Sequence, residues 1–113
     1  AHAIFDVPGR SMNTLTGKAV ADIIAITKEV ATNDAIKGLV LSSGKASGFC
    51  AGADLGEMGD RAGGAEKVKK SVDELKKEQF EAGFSLNGTL RKLETCGKPV
   101  AVALNGLALG GGL

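Results

Sequence analysis

The sequence is poor in the residues that most often carry metal, disulfide or nucleic-acid chemistry. Its 113 residues include one His, two Cys, four Phe, and neither Trp nor Tyr. Two cysteines are too few for a disulfide framework, so Cys50 and Cys96 are predicted to be buried or half-buried free thiols. The lone histidine, His2, is expected on a strand face, which leaves a cysteine nucleophile without an imidazole partner.

Extremes of charge and hydropathy are missing as well. Lys and Arg number 14 and Asp and Glu number 13, so the formal net charge is +1. That balance, with so few aromatic rings, argues against a nucleic-acid partner. No apolar run approaches the ~20 residues of a membrane span, and no targeting segment is visible.

Strand and helix patterns alternate along the chain. Three apolar runs bounded by Gly, Pro or Ser predict strands: residues 2–7, 37–43 and 100–104. Between the first two, apolar residues recur at helical spacing, with Thr14 or Thr16 as the cap and an end near residues 32–34. The alternation predicts an α/β fold.

The second half of the chain predicts one long helix. Residues 59–64 are a glycine-rich linker, and a helix with charges of mixed sign follows over about residues 65–94. Gly83 and Gly88 lie inside it and are expected to kink or interrupt it. A short helical turn is expected over residues 53–58.

Two glycine-rich loops, residues 44–52 and 106–112, each follow an apolar strand and expose backbone N–H groups. Such loops bind anions or developing negative charge. A phosphate cradle requires a glycine spacing that neither loop has, since position 39 is Leu where a P-loop needs Gly. An oxyanion hole shared between the Ala53 region and residues 110–112 is the alternative. Composition alone does not separate it from purely structural glycines.

The two loops carry a resemblance to a known family. Residues 49–55, Phe-Cys-Ala-Gly-Ala-Asp-Leu, resemble the Ala-Gly-Ala-Asp motif of the enoyl-CoA hydratase/isomerase (crotonase) superfamily. Residues 98–112 resemble its second motif, and residues 6–15 its first CoA-contacting loop. The sequences of residues 8–15 and 52–58 are most similar to the hydratase module of multifunctional fatty-acid oxidation proteins, in which a 3-hydroxyacyl-CoA dehydrogenase part follows. The resemblance implies the N-terminal part of a crotonase-like ββα spiral, with residues 1–113 a portion of one domain truncated at both ends.

The same resemblance assigns the site by position. The backbone N–H groups of Ala53 and Gly111 would form the oxyanion hole. The substrate and CoA side would be formed by Met12, Ala51, Asp54, Leu55 and Gly110. Judged from the residues alone, Asp54 is as well suited to cap the turn that starts at Leu55. The two acid/base glutamates of family hydratases would follow Leu113, so the chain by itself is expected to be inactive.

The function implied is that of an enoyl-CoA hydratase of fatty-acid β-oxidation, which adds water to a 2-enoyl-CoA. An enoyl-CoA isomerase or another crotonase-type acyl-CoA enzyme is the first alternative, and a non-catalytic CoA-binding or assembly module is the second. No metal and no cofactor are expected in this chain, because CoA is part of the substrate and NAD would belong to a following dehydrogenase part. The expected partners are an acyl-CoA thioester, the rest of the domain and further copies in a homo-oligomer. The expected location is the bacterial cytoplasm or the mitochondrial matrix.

Overall fold

The computed structural model describes residues 1–57 and 72–113, where strands and helices alternate. The described residues form five strands: β1 His2–Phe5, β2 Leu39–Ser43, β3 Gly48–Cys50, β4 Val100–Ala103 and β5 Leu107–Ala108. Two long helices, α1 Gly17–Thr32 and α2 Val72–Glu94, connect them, and a 3₁₀ helix spans Gly110–Gly112. The predicted linker over 59–64 and the beginning of the second predicted helix, 65–71, lie outside the described residues.

All strand pairing among the described residues is parallel. β2 lies between β1 and β4 in a three-stranded sheet, and β3 pairs with β5 in a second, two-stranded sheet. Parallel neighbours need a crossover connection, and α1 supplies the one from β1 to β2. The predicted α/β fold is confirmed. No described helix has the length and apolar character needed to cross a membrane.

Helix α1 begins and ends where its sequence predicts. The Thr16 hydroxyl oxygen accepts a hydrogen bond from the N–H of Ala19 at 3.1 Å, which satisfies one donor of the first turn. At the other end, the N–H of Asn33 donates to the carbonyl of Glu29. Ala19 and Val30 are buried on the apolar face of the helix.

Helix α2 runs without a break through Gly83 and Gly88, so the expected interruption is wrong. Glycine in a helix interior costs only about 1 kcal/mol relative to alanine and keeps its N–H donor. The ladder of helix hydrogen bonds therefore survives both positions. The contact of α2 with α1 adds packing that a sequence pattern does not show.

Each glycine loop contains a short strand that the sequence does not predict. β3 lies inside residues 44–52, and β5 lies just before the 3₁₀ helix. Gly48, with a φ of +145°, allows the close pairing, because a Cβ there would lie 2.8 Å from the backbone nitrogen of Leu107. Strands of two or three residues are too short to show an alternating pattern, so only their pairing reveals them.

The buried side chain of Asn13 is hydrogen-bonded to residues of β1, β2 and β3. Its amide oxygen accepts from the N–H of Val7 at 2.8 Å. Its amide nitrogen donates to three oxygens: the carbonyls of Phe5 and Phe49 and the hydroxyl of Ser43. The carbonyl of Asn13 also accepts from the N–H of Ala51 at 2.8 Å. One fully buried amide thereby fixes β1, β2 and β3 relative to one another.

The histidine and the cysteines have the structural roles predicted for them. His2 lies in β1, with its Nε2 2.7 Å from the hydroxyl of Ser42 on β2. Cys50 and Cys96 are free thiols, the first buried and the second half-buried. In the described part of the chain, no group of three or more His, Cys, Asp or Glu could hold a metal ion.

Candidate active site

The two glycine loops meet backbone to backbone at Gly52. Gly52 has a φ of +91°, and a Cβ there would lie 2.8 Å from the carbonyl oxygen of Leu109. Only a glycine permits this conformation and this approach together. The meeting point, called the loop crossing below, brings residues 50–53 against residues 109–112.

The first predicted donor, the N–H of Ala53, points away from Leu15, with which Ala53 forms an isolated bridge. Ala53 forms a parallel bridge with Leu15, in which Leu15 donates to the carbonyl of Gly52 at 2.7 Å. In a trans peptide the N–H and the C=O point in opposite directions, and the described backbone has no cis peptide. The N–H of Ala53 is therefore directed away from Leu15. No acceptor for it is present in residues 1–57 or 72–113.

The second predicted donor, the N–H of Gly111, lies in the first turn of the 3₁₀ helix. The two hydrogen bonds of that helix run from Gly112 to Leu109 at 2.8 Å and from Leu113 to Gly110 at 3.2 Å. The second of these bonds occupies the carbonyl of the Gly110–Gly111 peptide and leaves the N–H of that peptide on the opposite side. This N–H also has no acceptor within the described ranges. Among the described residues, the two segments that meet at the loop crossing thus each carry a backbone donor without an acceptor.

A cleft of 420 Å³ opens beside the loop crossing. Five of the seven predicted site residues line it: Ala51, Ala53, Asp54, Leu55 and Gly110. Met12 is not among its lining residues, and its sulfur lies 3.7 Å from the hydroxyl of Ser47. Gly111 borders a separate, largely apolar cavity of 850 Å³ between the three-stranded sheet and the helices. The 3₁₀ helix therefore stands between the cleft and the apolar cavity.

The carboxylate of Asp54 is buried and fully engaged by donors. It caps the short helix over residues 55–57, where the N–H of Glu57 donates to its Oδ1 at 2.9 Å. The hydroxyl of Thr14 donates to Oδ2 at 2.8 Å, and the guanidinium of Arg10 lies 2.6 Å from the same oxygen. The backbone donor of Glu57, then the Thr14 hydroxyl, hold the pKa of Asp54 below its usual range, with a smaller effect from Arg10. Asp54 therefore has the capping geometry, and a direct contact with CoA stays a prediction.

Two side chains that line the cleft, those of Arg10 and Thr14, were not predicted as part of the site. Both line the cleft and both contact Asp54, which is 40 or more residues away along the chain. The sequence offered only a weak indication of their role, namely that Arg10 is a cation and Thr14 a hydroxyl inside the loop over residues 6–15. Glu57 has a related structural task, because its Oε2 accepts from the N–H of Gly17 at 2.8 Å and faces the positive end of α1.

Comparison with known proteins establishes the family. The family model described as enoyl-CoA hydratase/isomerase matches residues 2–113. The chain therefore belongs to the enoyl-CoA hydratase/isomerase family. This confirms the predicted membership and, with it, the N-terminal part of the crotonase-like fold.

Among curated proteins, the chain is similar to fatty acid oxidation complex subunit alpha from two Shewanella species. The protein from Shewanella amazonensis is 42% identical over 108 residues, and the one from Shewanella loihica is 39% identical over 108 residues. Each alignment covers 96% of this chain and 14% of the relative. The chain thus spans about a seventh of the length of these relatives.

Among solved structures, the chain is similar to an enoyl-CoA hydratase from Bacillus anthracis. The TM-score is 0.72 at 26% identity, over 98% of this chain and 38% of that one. An enoyl-CoA hydratase/isomerase from Marinobacter aquaeolei shares the fold, with a TM-score of 0.70 at 20% identity over 98% of this chain and 40% of that one.

Proposed function

We propose that the complete protein is an enoyl-CoA hydratase of fatty-acid β-oxidation, and that this chain supplies the part of its active site that polarises the substrate carbonyl. The observation that carries the proposal is that the N–H groups of Ala53 and Gly111, in the two segments that meet at the loop crossing, have no acceptor among the described residues. The names of the Shewanella relatives support the place in fatty-acid oxidation.

The chemistry follows from what two such donors do to a thioester. Hydrogen bonds to the thioester oxygen withdraw electron density from the conjugated double bond, so C3 becomes electrophilic. Water then adds at C3 and loses a proton, while C2 gains one, and negative charge builds on the thioester oxygen in between. Preorganised N–H groups stabilise that charge, and each one typically contributes a factor of about 10²–10³ in rate.

The cleft supplies the binding side of the proposal. The CoA arm would lie along the cleft that Ala51, Asp54, Leu55 and Gly110 line, and Met12, in the loop over residues 6–15, is proposed to contact the CoA side. No resident cofactor is proposed here, and NAD would belong to a separate dehydrogenase part. A homo-oligomer in the bacterial cytoplasm is the proposed setting.

Proton transfer is proposed to come from residues outside this chain. Asp54 is held ionised by three donors, and Glu57 is engaged by the N–H of Gly17. Because both carboxylates are bound by donors of this chain, neither is proposed to transfer a proton to or from a substrate at the loop crossing. The two glutamates that the family resemblance places after Leu113 would do this work, so residues 1–113 alone are expected to show no hydration.

The proposal is tested by hydration of a short 2-enoyl-CoA by the complete protein and by its Ala53→Pro variant. Proline removes the N–H of Ala53, which no described hydrogen bond uses. We expect kcat to fall about 10²–10³-fold, with a smaller change in KM. A wild-type protein that only shifts a 3-enoyl-CoA double bond would be an isomerase, and one that binds the thioester without turnover would be a binding module. Either result would refute the proposed hydratase.

A further inference from the structure

The side chain of Cys50 lies buried at the loop crossing, with 0% of its surface exposed. It belongs to the segment over residues 50–53, which carries Ala53, and its side chain packs against Gly112 in the segment that carries Gly111. We infer that Cys50 is a positioning residue, which sets the separation of the two backbone donors. This inference rests on the proposed function, because only a polarising site needs that separation to be fixed.

Cys50 touches both donor segments, each through a different part of the residue. Its carbonyl accepts from the N–H of Leu109 at 3.0 Å, which holds the segment over residues 109–112. Its sulfur accepts from the N–H of Gly52 at 3.4 Å, which holds the segment over residues 50–53. A single residue therefore connects the peptide on one side of the crossing to the peptide on the other.

Packing against Gly112 adds a steric limit to these two bonds. A Cβ on Gly112 would lie 2.6 Å from the Cβ of Cys50 and 2.8 Å from its sulfur. Such distances leave no space between the thiol and the 3₁₀ helix. The size of the Cys50 side chain therefore decides how close the Gly111 peptide comes to the Ala53 peptide.

The thiol itself is not suited to a chemical role. Burial raises the pKa of Cys50, and the hydrogen bond from Gly52 opposes that effect only in part. A neutral thiol with no exposed surface is a poor nucleophile. Its contribution is its shape and its weak acceptor capacity.

The test compares Cys50→Ala, Cys50→Ser and Cys96→Ser in the complete protein. Alanine leaves the N–H of Gly52 without its acceptor and opens space under Gly112, whereas serine keeps an acceptor of similar size. Cys96 is the matched control, because it is the second free thiol and is only half-buried. The measurements are kcat and KM for hydration, thermal stability, and the infrared carbonyl stretch of a bound enoyl thioester.

We expect Cys50→Ala to lower kcat about tenfold with little change in KM, since sub-ångström misplacement of a polarising group costs rate more than binding. The carbonyl stretch of its bound thioester should move back towards the value in free solution. Cys50→Ser should recover most of both effects, and Cys96→Ser should match the wild type. A Cys50→Ala variant that loses thermal stability yet keeps the wild-type carbonyl stretch would overturn the inference, because its role would then be structural only.

Failure of the proposed function is recognised separately. A wild-type protein that neither hydrates the thioester nor shifts its carbonyl stretch refutes the polarising site itself. If Cys50→Ala does not fold, Gly112→Ala tests the same contact from the opposite side. It should also weaken the carbonyl shift, and an unchanged shift would overturn the role of Cys50.

Discussion

The close approach of Gly52 to Leu109 can be tested with the Gly52→Ala substitution, which should lower the free energy of unfolding through two separable effects. The first is backbone strain: alanine at a φ of +91° costs about 1–3 kcal/mol. The second is the contact of the new Cβ with the carbonyl oxygen of Leu109, which would be 2.8 Å long. Overpacking of this kind costs about 1–3 kcal/mol more.

Gly97→Ala is the matched control for the first energy. Gly97 has a φ of +84°, close to that of Gly52, but a Cβ there would meet nothing within 4 Å. Its substitution therefore carries the backbone strain without the contact. The difference in the free energy of unfolding between the two variants isolates the loop crossing, and we expect Gly52→Ala to be less stable by about 1–3 kcal/mol.

The Gly52→Ala substitution should also affect hydration. To reach ordinary van der Waals contact, the Cβ and the Leu109 oxygen must separate from 2.8 Å to at least 3.4 Å. A shift of about 0.6 Å between the two donor segments should lower kcat about tenfold, since a 1 Å misplacement can cost about 10²-fold. Urea unfolding and steady-state kinetics of the complete protein measure both effects. Equal stability of the two variants, with wild-type kcat in Gly52→Ala, would refute the crossing as the element that holds the site.

Two further predictions concern buried polar groups near the site. Asn13→Ala should cost about 3 kcal/mol in urea unfolding, because it leaves several buried donors and acceptors unpaired. The control is Asn105→Ala, because the exposed amide of Asn105 makes one hydrogen bond, to the carbonyl of Lys45. This variant should change the free energy of unfolding by less than about 0.5 kcal/mol. Similar losses in the two variants would contradict the stabilising role of the Asn13 hydrogen bonds. Because the folded-state pKa of Asp54 is below its usual value of 3.8, Asp54 stabilises the fold at neutral pH, and this contribution is lost as the pH falls from about 5 through the folded pKa. Asp54→Asn should therefore flatten the acid limb of a stability–pH profile while the surface control Asp22→Asn does not, and parallel profiles for wild type and Asp54→Asn would refute the assignment.

Local signals in the sequence were enough for the helices and the main strands. The hydroxyl of Thr16 and the helical spacing of Ala19 and Val30 lie within a few turns of one another, so α1 could be predicted to within a residue or two of its observed ends. The same holds for β2 and β4, whose apolar centres are bounded by turn residues. Each of these features depends on neighbours along the chain.

Features that depend on distant partners could not be predicted in this way. β3 exists because Gly48 and Cys50 pair with Leu107 and Ala108, nearly 60 residues later. Arg10 joins the cleft because the fold brings it to Asp54. For the donors, the motif resemblance indicated which residues to examine, but the direction of each N–H follows from a long-range or loop hydrogen bond to the carbonyl on the other side of its peptide.

Those carbonyl bonds show how the proposed site could be built from backbone groups, with little contribution from side chains. The peptide before Ala53 is fixed by the N–H of Leu15, and the peptide before Gly111 is fixed by the N–H of Leu113. Because each bond holds the carbonyl, the opposite N–H is oriented before any substrate arrives, and no reorganisation is needed when charge develops on the substrate. The same geometry suits any reaction that passes through a thioester enolate. The choice between hydration and isomerisation therefore depends on the groups that move protons.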